Sequence, residues 1–128
     1  MGTVCGKTIA LWGLSFKPET DDMREAPSLV IIELLLRSGA NVKVYDPVAM
    51  SECRRRIGDV VVYCRDKYEA LASADALAVI TEWDEFRNVS WSAVRTALRQ
   101  PILVDGRNIY DKQILAQEGF RYYCIGKQ

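Results

Sequence analysis

Two stretches of this chain carry side chains suited to holding an anionic, hydroxyl-bearing ligand. The first runs Trp12-Gly13-Leu14-Ser15-Phe16-Lys17-Pro18-Glu19-Thr20-Asp21-Asp22-Met23-Arg24-Glu25 and is dense in both charge signs. Lys17 is a compact cation there, and the ring of Phe16 can stack on a base or wall off a sugar. The competing assignment puts Phe16 in the core and leaves Lys17 solvated. The second stretch is Asp105-Gly106-Arg107-Asn108-Ile109-Tyr110-Asp111. Its Arg107 presents a planar fork that either grips phosphate or sugar hydroxyls or pairs with Asp105 or Asp111.

Other charged and nucleophilic residues are poorer candidates. Asp21 and Asp22 are adjacent, so their side chains diverge, and no histidine or third carboxylate joins them; capping or pairing with Arg24 fits better. Asp46 ends a strand in Tyr45-Asp46-Pro47, where dinucleotide folds place a ribose-binding acid. The first loop lacks GxGxxG spacing, so a turn-forming Asp-Pro is the better assignment. Arg54, Arg55 and Arg56 read as the wet face of a helix. Cys5, Cys53, Cys64 and Cys124 form no CxxC pair and the chain has no histidine, which removes the usual zinc and Cys-His arrangements. They are expected to be reduced, unreactive thiols.

Strand-like runs alternate with helical segments from end to end. The runs are Thr8–Trp12, Val42–Tyr45, Val60–Tyr63, Ala76–Ile80, Ile102–Val104 and Tyr122–Ile125; helices are expected over Pro27–Arg37, Ala49–Ile57, Lys67–Ala72, Trp91–Leu98 and Lys112–Gln117. This pattern predicts an α/β fold: a three-layer, doubly wound, mainly parallel Rossmann-like sheet of five to six strands. In such sheets ligands bind beyond the carboxyl ends of the strands, which is where Lys17 and Arg107 fall. The segment Thr81-Glu82-Trp83 follows the fourth strand to the same edge. Helix Pro27–Arg37 is apolar nearly all round, interrupted by Ser28 and Glu33. It is expected to be buried on several sides, within its own layer or under another domain or subunit.

Composition sets the outer bounds. The 128 residues fit one domain, and 49% hydrophobic with 27% charged residues describe an ordinary globular protein rather than a disordered or fibrous one. Seventeen basic residues balance seventeen acidic ones, so no net field favours nucleic acid. The longest mostly apolar run, Leu29–Leu36, is interrupted by Glu33 and falls short of the roughly 20 residues that span a bilayer. Neither a cleavable leader nor a myristoylation motif is recognisable at the start, and a cytoplasmic location is expected.

Gly13-Leu14-Ser15-Phe16-Lys17-Pro18 with Thr20-Asp21-Asp22-Met23-Arg24, then Tyr45-Asp46-Pro47, Thr81-Glu82-Trp83 and Asp105-Gly106-Arg107-Asn108 resemble the C-terminal, UDP-binding domain of UDP-glucose 6-dehydrogenases. The wider family of nucleotide-sugar dehydrogenases also acts on UDP-N-acetylmannosamine and GDP-mannose. The resemblance implies that residues 1–128 form a single UDP-sugar-binding domain. The N-terminal NAD-binding and central domains, with the catalytic cysteine, would lie elsewhere. It further implies UDP-glucose as ligand, contacts to it from Phe16, Lys17 and Arg107, and a reach across to NAD by Arg24. The cofactor NAD would be held mainly by the absent N-terminal domain. In the family, two hydride transfers oxidise UDP-glucose to UDP-glucuronate through cysteine-bound intermediates. The fragment alone is therefore expected to be inactive, and the full-length enzyme to be a homo-oligomer. The main alternative is a non-catalytic oligomerisation module.

Overall fold

The computed structural model describes residues 4–15, 17–24 and 26–124. Six strands, β1 (Thr8–Trp12), β2 (Asn41–Tyr45), β3 (Val62–Tyr63), β4 (Ala76–Val79), β5 (Ile102–Asp105) and β6 (Arg121–Cys124), alternate with helices α1 (Pro27–Arg37), α2 (Met50–Ile57), α3 (Lys67–Leu71), α4 (Asp84–Arg87), α5 (Trp91–Ala97) and α6 (Lys112–Gln117). The strands pair in the order β3-β2-β1-β4-β5-β6, every neighbour parallel. The chain order reverses between β1 and β4, the place where open α/β sheets receive ligands.

Alternation along the strands divides the core. Ile9, Leu11, Val42, Val44, Ala76 and Ala78 lie on the side of the sheet that carries α1 and α2. Ala10, Trp12, Leu77, Val79 and Leu103 face α3, α4, α5 and α6. The central strands β1 and β4 are apolar on both faces because each face is covered over at least part of its width. Trp12 fills the second layer, stacked on Phe86 of α4 at 5.1 Å, with its indole N–H donating to the Lys67 carbonyl at 2.9 Å.

Local chemistry explains most boundaries. Asp66, Ser90 and Asp111 cap α3, α5 and α6 by accepting backbone N–H groups of the first turn. Pro27 opens α1, and Gly39 stops it in a left-handed conformation at φ 89°. Three expectations are corrected. The run Val60–Tyr63 pairs only at Val62 and Tyr63. The one-turn helix α4 follows Trp83 where no helix is expected; it exists to bury Phe86. Helix α1 is not buried on several sides by its own layer: only Ser28 and Ile32 are buried, while Val30 and Leu34 are 61% and 55% exposed, which leaves cover by another domain or subunit as the other alternative.

Candidate nucleotide-sugar site

Three loops meet beyond the carboxyl ends of the adjacent strands β1, β4 and β5. The β1 loop leaves the sheet at Gly13, whose φ of 98° suits glycine; a Cβ there would lie 2.5 Å from Thr81. That close approach lets the Thr81 hydroxyl donate to the Ser15 carbonyl at 2.8 Å, while the Ser15 hydroxyl donates to the Lys17 carbonyl at 2.7 Å. The backbone carrying Lys17 is thus tied to the β4 loop. Its side chain is exposed, and among the described residues it has no ion-pair partner.

Asp46 secures the same loop from the other side. Fully buried, it accepts the Leu14 N–H at 2.8 Å through one carboxylate oxygen and the Val48 and Ala49 N–H groups, each at 2.8 Å, through the other. It is a turn former, as its Asp-Pro context suggests, and also a cross-strand clamp. Ser28 adds a short hydrogen bond from its hydroxyl to the Leu14 carbonyl.

Arg107 sits on a turn organised by Asp105, which is also fully buried. Asp105 accepts the Arg107 N–H at 3.0 Å, the Ile109 and Tyr110 N–H groups at 2.9 and 3.1 Å, and the Tyr122 hydroxyl at 2.6 Å. The Arg107 guanidinium does not pair with Asp105 or Asp111, the partners its sequence neighbours suggest. It donates through Nε and Nη2 to one oxygen of Glu82, at 3.1 and 2.7 Å. Glu82 lies on the β4 loop and is 25 positions away in sequence, so spacing alone could not nominate it; Thr81-Glu82-Trp83 carried the only signal.

Pro18 and Glu19 face Glu82, Trp83, Asp84 and Glu85 across a cleft of about 280 Å³. Glu85 is engaged further by the Tyr45 hydroxyl at 3.3 Å and the Lys67 ammonium at 3.6 Å. Burial, followed by the Glu85 charge, pushes the Tyr45 hydroxyl up to about 12, so it stays a donor at neutral pH. The Trp83 indole nitrogen is buried and has no hydrogen-bond partner among the described residues.

The remaining candidates separate cleanly. Phe16 lies outside the described residues. Arg24 is on the rim, its side chain 80% exposed, paired with Asp22 at 2.9 Å. A hydrogen bond from the Arg24 guanidinium holds the Asp22 carboxyl down at about 2. Arg54, Arg55 and Arg56 pair with Asp59 and Glu52 on the outer face of α2. Burial pushes the thiols of Cys53 and Cys64 up, away from the thiolate form. The usual dinucleotide seat does not fit NAD here: the Leu14 N–H and carbonyl and both oxygens of Asp46 are already committed within the protein.

The description "UDP-glucose/GDP-mannose dehydrogenase family, UDP binding domain" matches residues 10–112, which take in all three loops. The chain belongs to this family. As a UDP-binding domain, it is 47% identical over 127 residues to a UDP-glucose 6-dehydrogenase of Pseudomonas aeruginosa, covering 95% of this chain and 28% of that protein. A UDP-glucose 6-dehydrogenase of Rhizobium meliloti is 46% identical over 126 residues, covering 98% and 29%. Among solved structures, a UDP-glucose dehydrogenase from Pyrobaculum islandicum superposes with a TM-score of 0.79 at 32% identity, covering 95% of this chain and 26% of that one. This UDP-binding domain therefore spans less than a third of the length of these relatives. No described helix is long and apolar enough to cross a membrane.

Proposed function

We propose that this chain is the C-terminal UDP-sugar-binding part of a cytoplasmic, NAD-dependent UDP-glucose 6-dehydrogenase. Lys17 and Arg107 bind the diphosphate, and Phe16 walls the nucleotide or sugar. The observation that carries this reading is the hydrogen-bonded path Lys17–Ser15–Thr81, continued through Glu82 to Arg107, which links two cationic loops at the switch point of the sheet. Cations suit the diphosphate. The carboxylates of the neighbouring cleft repel phosphate and accept hydrogen bonds, so they suit sugar or ribose hydroxyls.

The covalent and redox chemistry belongs to other parts of the longer protein. Both described buried thiols are held protonated, and the β1 loop lacks the glycine spacing of a dinucleotide seat. NAD is bound mainly by another domain, and Arg24 on the rim reaches toward it. This chain's own task is to bind and orient UDP-glucose so that its C6 alcohol meets groups supplied elsewhere. UDP-glucose is favoured over other nucleotide sugars because relatives at 42–47% identity are UDP-glucose 6-dehydrogenases.

Calorimetric titration tests the reading. UDP-glucose should bind the chain and be displaced by UDP, with affinity lowered in Lys17→Ala and Arg107→Ala and unchanged in Arg55→Ala. Equal affinity in all four proteins, or no binding, overturns it.

A further inference from the structure

The sheet is covered unevenly. Helices α1 and α2 follow β1 and β2 and lie over the β1–β3 half of one face, whereas α3, α4, α5 and α6 all pack on the other face. On the α1 side, the β4–β6 half carries no helix among the described residues. It forms an open apolar groove of about 530 Å³. Ile31 and Leu35 of α1 make one wall, Val104 of β5 and Tyr123 of β6 the other, and the small side chains Ala76 and Ala78 of β4 its floor. Parallel sheets are stable with both faces covered, and patches of this kind mark interaction sites.

We infer that the groove seats an amphipathic helix of the longer polypeptide, packed beside α1 over β4 and β5. This rests on the reading of the chain as the UDP-binding part of a dehydrogenase of its relatives' length, in which more than two thirds of the protein lies outside the matched region. Val4, the first described residue, lines the groove, so the site lies beside the N-terminal side of the described chain. The alanine floor accepts bulky aliphatic residues from the incoming helix at i, i+3, i+4 and i+7, and packing 8–10 Å from α1 completes the helical layer. The exposed crest of α1, Val30 and Leu34, continues the apolar surface onto the same partner.

The test compares one substitution in two settings. Leu35→Glu and Tyr123→Glu are made in this chain and at the aligned positions of the full-length Pseudomonas aeruginosa relative. Tyr123 is 52% exposed, so in this chain Tyr123→Glu should shift the thermal midpoint by less than about 3 °C, against a fall of at least about 6 °C in the relative. Leu35→Glu should likewise cost the relative more. Equal shifts in the two settings overturn the inference. So does concentration-dependent dimerisation of this chain that either substitution abolishes, because the occupant is then a second copy. UDP titration of the same proteins reads the strand-end loops separately, so loss of UDP binding with unequal thermal shifts would sink the UDP reading and leave the groove assignment standing.

Discussion

Asp46 and Asp105 occupy equivalent places, each fully buried at the carboxyl end of a strand and each surrounded by N–H donors, yet they do different work. Asp105 accepts N–H groups from its own turn, Arg107, Ile109 and Tyr110, and is gripped from β6 by Tyr122. Asp46 accepts from its own turn too, but also from Leu14 on the loop of the neighbouring strand. The loop of Arg107 is thus shaped largely from within, and the loop of Lys17 is held from outside. Positioning of a binding cation can come from a local turn or from a clamp 32 positions away, and the two fail differently when broken.

The largest effect is expected from Asp46→Ala. It leaves three N–H donors without their acceptor, at about 1–3 kcal/mol for each that stays buried, so unfolding free energy by urea titration should fall by roughly 3 kcal/mol or more. If Asp46→Ala leaves UDP affinity intact, the contrast between clamp and turn is wrong. Next come the ligand contacts: Lys17→Ala and Arg107→Ala should each weaken UDP-glucose binding by roughly 1.5–3 kcal/mol in calorimetry, the scale of a hydrogen bond to a charged group. Arg107→Lys should recover only part of that loss, since a lysine cannot reproduce the fork. Tyr122→Phe removes the hydroxyl at Asp105 and keeps the turn's own bonds. A loss of about 1 kcal/mol in stability is expected, with affinity nearly unchanged.

The smallest effect concerns Asp22 on the rim. Its carboxyl is held below the ordinary value, so whatever the Arg24 pair contributes is present above about pH 4 and fades as the pH falls through about 2. An NMR titration should place the Asp22 midpoint near 2, and Arg24→Ala should raise it toward the ordinary 3.8 without reaching it, because the backbone N–H of residue 24 still donates to the carboxylate. No change in that midpoint would mean that Arg24 is not held by Asp22 and stands free on the rim.

Much of the fold was legible because it is locally encoded. The ranges of β1 and α1 match their apolar runs, and Pro27 and Gly39 mark the ends of α1. What escaped was non-local. Nothing in Tyr45-Asp46-Pro47 announces that Asp46 reaches Leu14, and the partner of Arg107 lies on another strand's loop, so the nearer acids Asp105 and Asp111 looked equally suitable. The continuous apolarity of α1 reads as burial in a sequence, yet in this chain much of that surface stands open, because the topology sends the later helices to the opposite face.

The three tryptophans of this chain sit in three environments. Trp12 is stacked in the core on Phe86, and Trp91 meets Tyr110 and Phe120 edge-on at 5.0 and 5.5 Å. Trp83 alone lines the cleft between the β1 and β4 loops. Intrinsic fluorescence therefore carries two messages: Trp12 and Trp91 report on whether the layers are packed, and Trp83 on what fills the cleft. A Trp83→Phe protein keeps the folding signal and silences the binding signal, so one optical instrument can follow folding and occupancy of the site separately.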